Sequence, residues 1–271
     1  MGFIESAILG IVQGLTEFLP VSSSGHLVFM QNVLGVGEIE ILFDVFLHVG
    51  TLLAVFVFFR KDIAGIFSNV KNIRSFRTNV QARTLLFIII ASVPTAIIGL
   101  AFKDYFEKVF NNLLIVACFL FVTGVFLFIA ERVSVPSDKQ KSMLGMNISD
   151  ALIIGCMQGF AIAPGISRSG ATITAGIFRG INRELAARFS FLLSIPAILG
   201  AFLMELKDCA QMLGSVSILS IVTGTLLAFL SGYYALRVLF SVIRKRRLGI
   251  FAYYCWAVGL VIVVRALLLK T

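Results

Sequence analysis

Charge is what this chain has least of. Only 14% of its 271 residues are Asp, Glu, Lys or Arg, against roughly a quarter in a soluble domain. So few charges cannot cover a globule in water, and a mean hydropathy of +0.99 excludes one equally. Cysteine is sparse and unclustered. Cys118, Cys156, Cys209 and Cys255 stand singly, without the spacing of a metal or redox site, and read as small apolar packers. No basic run precedes the first apolar stretch, which carries Glu5 instead, so no cleavable signal peptide is expected. Histidine occurs only at positions 26 and 48.

Long apolar runs fill the space that charge leaves. Six approach the ~20 residues needed to cross a bilayer: Ile41–Phe59, Thr84–Phe102, Leu113–Ala130, Phe189–Met204, Ile218–Phe240 and Ile250–Leu268. The class is an all-α polytopic membrane protein. A net charge of +9 raises nucleic acid as a partner, but the placement of the charge excludes it. Arg60, Lys61, Lys71, Arg74, Arg77 and Arg83 fill one gap between spans, Arg132, Lys139 and Lys141 a second, and the run Arg244 to Arg247 a third. Loops rich in Lys and Arg stay in the cytoplasm, so the positive charge records topology. The first span then runs inward, the following ones alternate, and the C-terminus faces outside.

Two further apolar stretches are broken midway. Ile4 to Leu19 meets Pro20 and three serines before a second piece, Leu27 to Leu34; Ala151 to Ala163 meets Pro164 to Gly170 before Ala171 to Phe178. Each piece is too short to cross. Proline ends a helix and serine caps the next, so each stretch is expected to be a re-entrant helical hairpin. The two are copies. A shift of 145 positions lays Gly10, Gln13, Gly14, Ser22, Ser24 and Gly25 on Gly155, Gln158, Gly159, Ser167, Ser169 and Gly170. Glu38, Glu40 and Asp44 follow the first hairpin, whereas Arg179, Arg183 and Arg188 follow the second. By the positive-inside rule one copy is inverted. The expected architecture is a single transmembrane domain over 1–271, with inverted halves of approximately 1–135 and 146–271 joined by a cytoplasmic loop and hairpin tips meeting near the membrane centre.

Such tips suit an anion. Helix N-termini capped by Ser22 to Ser24 and by Ser167 to Ser169 aim N–H groups and positive dipole ends at the midplane, and Arg168 adds a guanidinium. Glu17, one turn before the first break, can act as a general base or hold a divalent metal. His26 follows Ser23 by three positions, on a shared helix face, where it can activate a hydroxyl or protonate a leaving phosphate. His48, inside an apolar span, reads as a buried, hydrogen-bonded residue.

The segment Gln13 to His26, QGLTEFLPVSSSGH, resembles the first signature of the bacterial undecaprenyl-diphosphate phosphatase (bacitracin-resistance) family, and Pro164 to Thr172, PGISRSGAT, its second. The resemblance covers nearly the whole chain. It implies hydrolysis of undecaprenyl diphosphate to undecaprenyl phosphate and phosphate, recycling the carrier lipid of peptidoglycan synthesis. It also implies a divalent cation (Mg²⁺ or Ca²⁺) and a site in the cell membrane that opens to the extracytoplasmic side. By this resemblance Gln13 and Glu17 form the acidic motif, Ser23 is the nucleophile, and His26 and Arg168 are the catalytic histidine and phosphate-binding arginine. Gln13, Ser22, Ser24, Ser167, Ser169 and Thr172 surround the substrate, and Glu17 is the metal ligand. Gln13 departs from members with Glu there, so Glu5 or Asp150 is an alternative second acid. A homodimer is one option for the assembly. A lipid flippase or transporter is the rival function, because inverted repeats with broken helices are a transporter design. Against it, Glu17 is paired with Ile162, Ser23 with Arg168 and His26 with Ala171, an asymmetry that a carrier does not need.

Overall fold

A computed structural model describes residues 2–35, 41–110, 112–133, 135–209 and 217–269. Lipid offers the backbone no hydrogen bonds, so a chain this apolar satisfies its N–H and C=O groups within helices. The described residues form twelve α-helices with three short 3₁₀ turns, and the nearest approach to a sheet is a single parallel bridge between Lys141 and Ile181.

Five helices are long and apolar enough to cross a membrane: α5 (Val80–Ala101), α7 (Leu113–Arg132), α10 (Arg183–Cys209), α11 (Ile218–Arg244) and α12 (Gly249–Leu269). A sixth span results if α3 (Ile41–Phe58) and the short α4 (Arg60–Ser68), bent by 75°, count as one. Hydropathy located these spans but not the helix ends. Helix α10 starts at Arg183 rather than Phe189 because the Asn182 side chain accepts from the N–H groups of Glu184 and Leu185 at 3.0 and 3.3 Å. Helix α5 starts at Val80 rather than Thr84, with Asn79 capping Ala82 at 3.0 Å. A helix carries charged turns beyond the apolar run, so polar caps set its limits.

The broken stretches are helical hairpins, α1 (Phe3–Phe18) with α2 (Ser23–Leu34), and α8 (Ile148–Phe160) with α9 (Arg168–Phe178). The 145-residue offset lays α1, α2, α3 and α5 over α8, α9, α10 and α11 in turn, and α12 over both α6 (Lys103–Phe110) and the start of α7. Packing exchanges partners between the halves: α1 lies on α11, and α8 lies on α5. Both contacts are backbone to backbone. A Cβ on Gly10 would stand 2.5 Å from the Gly224 carbonyl oxygen, and one on Gly155 would stand 2.1 Å from that of Ala91. Small residues permit such approach where no water drives helices together. At the centre, Phe18 meets Phe191 edge to face and Phe59 stacks on it, with ring centroids 5.7 and 6.0 Å away.

Asp150, the repeat equivalent of Glu5, is completely buried at the start of α8. Its carboxylate accepts from Lys141 Nζ at 3.0 and 2.9 Å, Arg179 Nε at 2.7 Å and the Asn147 N–H at 3.0 Å. Burial alone would raise its pKa, but these bonds outweigh burial and hold the carboxyl below its usual range. Arg183 Nη2 donates to the carbonyls of Ala130, Glu131 and Val133, closing the C-terminal end of α7. The basic ends of the helices are thereby tied together.

Candidate active site

The two tips are built differently from similar sequence. In the first, α1 ends at Phe18, Val21 N–H bonds back to Leu19 O at 2.7 Å, and Ser22 adopts φ +67°. A non-glycine residue there costs on the order of 1 kcal/mol, and a hydrogen-bond set holds it. Ser22 Oγ accepts from Gly25 N–H at 3.3 Å and from Gly165 N–H, on the opposite tip, at 3.1 Å. In the second tip the left-handed residue is Gly165 itself, φ +95°, where a Cβ would stand 2.3 Å from the Val116 carbonyl oxygen. Thr123 clamps this turn, donating to Gly165 O and accepting from Ser167 N–H, both at 3.0 Å. Ser167 then caps α9 by accepting from Gly170 N–H at 3.1 Å.

Glu17 is where the tips meet. It is 8% exposed; its Oε1 accepts from Arg168 Nη2 at 2.5 Å, and its Oε2 accepts from Ser23 Oγ at 2.6 Å and Gln13 Nε2 at 3.2 Å. Ser169 Oγ adds a bond across the joint to Leu19 O at 3.4 Å. Arg168 Nη1 and Gln13 Oε1 are buried without a hydrogen-bond partner; Arg168 lines the cavity, so its Nη1 is a donor that a polar ligand would satisfy. The joint floors a cavity of about 790 Å³. Glu17, Ser22, Ser23, Ser24, Ser167 and Arg168 line it at the joint, Asp44, His48, Lys103 and Gln158 add further polar groups, and Leu100, Phe106, Phe110, Ile198 and Phe202 supply apolar surface. Such a space fits a molecule with an anionic head and a hydrocarbon tail.

Among the residues singled out from sequence, Glu17, Ser22, Ser23, Ser24, Ser167 and Arg168 line this cavity together. Gln13, Ser169 and Thr172 lie behind it. Thr172 Oγ1 shares a 2.6 Å contact with Ser190 Oγ and donates to Arg168 O at 2.8 Å, steadying the first turn of α9. His26 is also off the cavity wall. Its Nδ1 is 2.8 Å from Ser22 O and its Nε2 3.0 Å from the Tyr254 hydroxyl of α12, so the hydrogen-bonding partner of Ser23 is Glu17. Asp150 is engaged by Lys141 and Arg179, and Glu5 lies in the first turn of α1, about 18 Å along the helix from Glu17. Neither is the second acid. His48, read from sequence as buried and hydrogen-bonded, has the hydrogen bond, Nδ1 to Asp44 O at 3.0 Å, but is only partly buried and lines the cavity with its Nε2 4.0 Å from Glu17 Oε2. The available signal was Asp44 one turn earlier on the same helix face.

Comparison with known proteins decides the kinship. Residues 6–261 match the family described as "Bacitracin resistance protein BacA". This chain belongs to that family. Among its relatives, the undecaprenyl-diphosphatase of Alkaliphilus metalliredigens is 48% identical over 99% of this chain and 100% of its own length. That of Halothermothrix orenii is 45% identical over 98% and 99%, and that of Methanobrevibacter smithii 44% over 97% of both chains. For a BacA-type site, the donors present bear on a cation. Among the described residues no three His, Cys, Asp or Glu side chains cluster as metal ligands. Among the described residues that line the cavity the carboxylates are Glu17, already bonded to Arg168 and Ser23, and Asp44, with the orphaned Gln13 Oε1 behind the wall. That set suits Mg²⁺ or Ca²⁺ only when a ligand's oxygens and water complete the shell.

Proposed function

We infer that the chain is an integral-membrane undecaprenyl-diphosphatase, hydrolysing undecaprenyl diphosphate to undecaprenyl phosphate and phosphate and thereby recycling the carrier lipid and conferring bacitracin resistance. The observation that carries this reading is the Glu17–Ser23–Arg168 cluster in a cavity lined by both polar and apolar side chains. Arg168 takes the terminal phosphate through Nη1, with the N–H groups at the start of α9 behind it. Ser23 Oγ attacks the terminal phosphorus as Glu17 Oε2 accepts its proton, and the bond to the bridging oxygen breaks, releasing undecaprenyl phosphate. The proton on Glu17 leaves with the departing undecaprenyl phosphate; Glu17, ionised again, then takes a proton from the water that hydrolyses the phosphoseryl group and returns it to Ser23 Oγ as phosphate is released. A divalent cation, held by Glu17 and completed by substrate oxygens and water, would neutralise phosphate charge. Phosphate release by purified protein from the C55 diphosphate with Mg²⁺ or Ca²⁺ tests the activity; no release with either metal overturns it. Acid quench during turnover tests the nucleophile: a phosphoserine at Ser23 is expected, and its absence assigns the attack to water.

The halves, 1–135 and 146–271, are proposed as inverted copies whose joint opens to the extracytoplasmic side. The exchanged packing of α1 on α11 and α8 on α5 supports a two-fold relation, and the basic residues after the second hairpin support the inversion. In a chain cleared of native cysteines, cysteine at Glu38, which lies outside the described residues, should react with an impermeant thiol reagent in intact cells, and cysteine at Arg183 should not. Equal labelling refutes inversion.

A further inference from the structure

We propose that Tyr254, on α12, is a positioning residue of this diphosphatase site, acting through His26 on the tip that carries Ser22 and Ser23. The inference rests on the functional reading above. Ser22 O is a carbonyl and can only accept, so the His26 Nδ1 that lies 2.8 Å from it carries the proton. Nε2 of the neutral ring is then an acceptor, and the Tyr254 hydroxyl, 3.0 Å away, is its donor. The rings also stack, with centroids 5.6 Å apart and planes within 6°. Tyr254 thus fixes both the tautomer and the plane of His26. The same Ser22 carbonyl receives the His26 backbone N–H at 3.2 Å. It belongs to the one residue of the two tips held at positive φ without being glycine. Ser22 in turn registers the tips through its Oγ bond to Gly165 N–H, and the next residue is Ser23, bonded to Glu17. A hydroxyl facing α2 from a helix of the other half therefore sets where the Ser23 oxygen stands. This gives His26 a structural lever on the reaction without a place on the cavity wall.

Removing only the Tyr254 hydroxyl should loosen Ser23 and leave substrate contacts in place. Tyr254→Phe is expected to lower kcat about tenfold, because small misplacements of reacting groups are costly, with KM changed less than about twofold. In a His26→Ala background the same substitution should have no further effect. The chain has two histidines, so ¹⁵N-histidine NMR of the purified protein reads the coupling without turnover: one Nε2 resonance should shift in Tyr254→Phe. An unchanged kcat, an equal loss in both backgrounds, or unmoved histidine resonances would each overturn the proposal. If the wild-type protein releases no phosphate, the diphosphatase reading fails, and the NMR signature still judges the Tyr254–His26 link.

Discussion

The two hairpins begin from similar sequences and end with different duties. At equivalent positions the first carries Glu17, Ser23 and His26, and the second Ile162, Arg168 and Ala171. The shared Gly, Gln and Ser positions make the helix–break–helix shape twice; the unshared positions divide an acid and a hydroxyl from a cation. Neither tip alone holds a site. Chemistry arises only at their joint, where Arg168 crosses 151 residues of sequence to reach Glu17. The strain is divided too. The first tip holds a serine at positive φ by hydrogen bonds, whereas the second uses a glycine in a space that admits no side chain.

The strongest way to break the comparison is to remove one partner of the joint. Arg168→Ala and Glu17→Gln should each lower kcat at least about a hundredfold, the scale for losing one group that stabilises transition-state charge, with Arg168→Lys retaining more activity because it keeps the charge but not the planar fork. Each single change also strands a buried polar partner. The double variant should be as inactive as either single one yet melt higher than Arg168→Ala, which separates catalysis from folding in one assay.

A smaller effect distinguishes the backbones. Gly165→Ala must force a Cβ into the Val116 carbonyl at an unfavourable φ, a loss of about 3 kcal/mol. Gly25→Ala meets only Ser22 Oγ at 3.3 Å and side-chain or Cα atoms at 3.4 Å, and should lose under about 1 kcal/mol. Thermal melts of the two variants in detergent check the order; equal melts would mean the second tip is as yielding as the first.

The far ends of the hairpins give the next contrast. Asp150 is buried between two cations, while its equivalent Glu5 is only half-buried. Because the folded-state pKa of Asp150 is depressed, its contribution is complete above the ordinary carboxyl pKa of about 3.9 and disappears as pH falls through the lower folded value. Asp150→Asn should cost about 1–2 kcal/mol at neutral pH, a modest figure because Lys141 and Arg179 are partly exposed. The gap from wild type should narrow in acid, as followed by melts from pH 7 to pH 3, and Glu5→Gln should cost less than Asp150→Asn at neutral pH. The smallest effect belongs to Arg265→Ala. Its side chain donates to Asn32 Oδ1 and Asn32 O at the end of α2, away from the joint, so hydrolysis should stay within about twofold of wild type.

The hairpins were legible in the sequence because their signals are local: a proline, capping serines and apolar pieces too short to span. Glu17, Ser23 and Arg168 were legible because they sit at those breaks. The termini of α5 and α10 were not, since the asparagine caps at Asn79 and Asn182 lie outside the apolar runs used to find them. The two histidines exchanged their expected places for a similar reason. His26 shares a hairpin with Ser23, but its ring is claimed by Tyr254, 228 residues away; His48 has few polar neighbours in sequence, yet packing brings it to Glu17. Contacts between distant helices decide both, and no local pattern encodes them.

The exchange of helices between the halves also sets a timetable for biogenesis. Helix α1 emerges first, but its packing surface on α11 begins at Ile218. At ~5–20 residues per second, the ribosome needs roughly ten seconds or more to supply that surface. Throughout this wait the first hairpin, bearing Glu17 and a set of serines, has no final seat in the bilayer. The second hairpin waits for nothing, because α5 is already in place when α8 is made. The nascent chain therefore completes its cation-bearing hairpin before its acid-bearing one, and the site closes only when the last third of the protein folds back over the first residues translated.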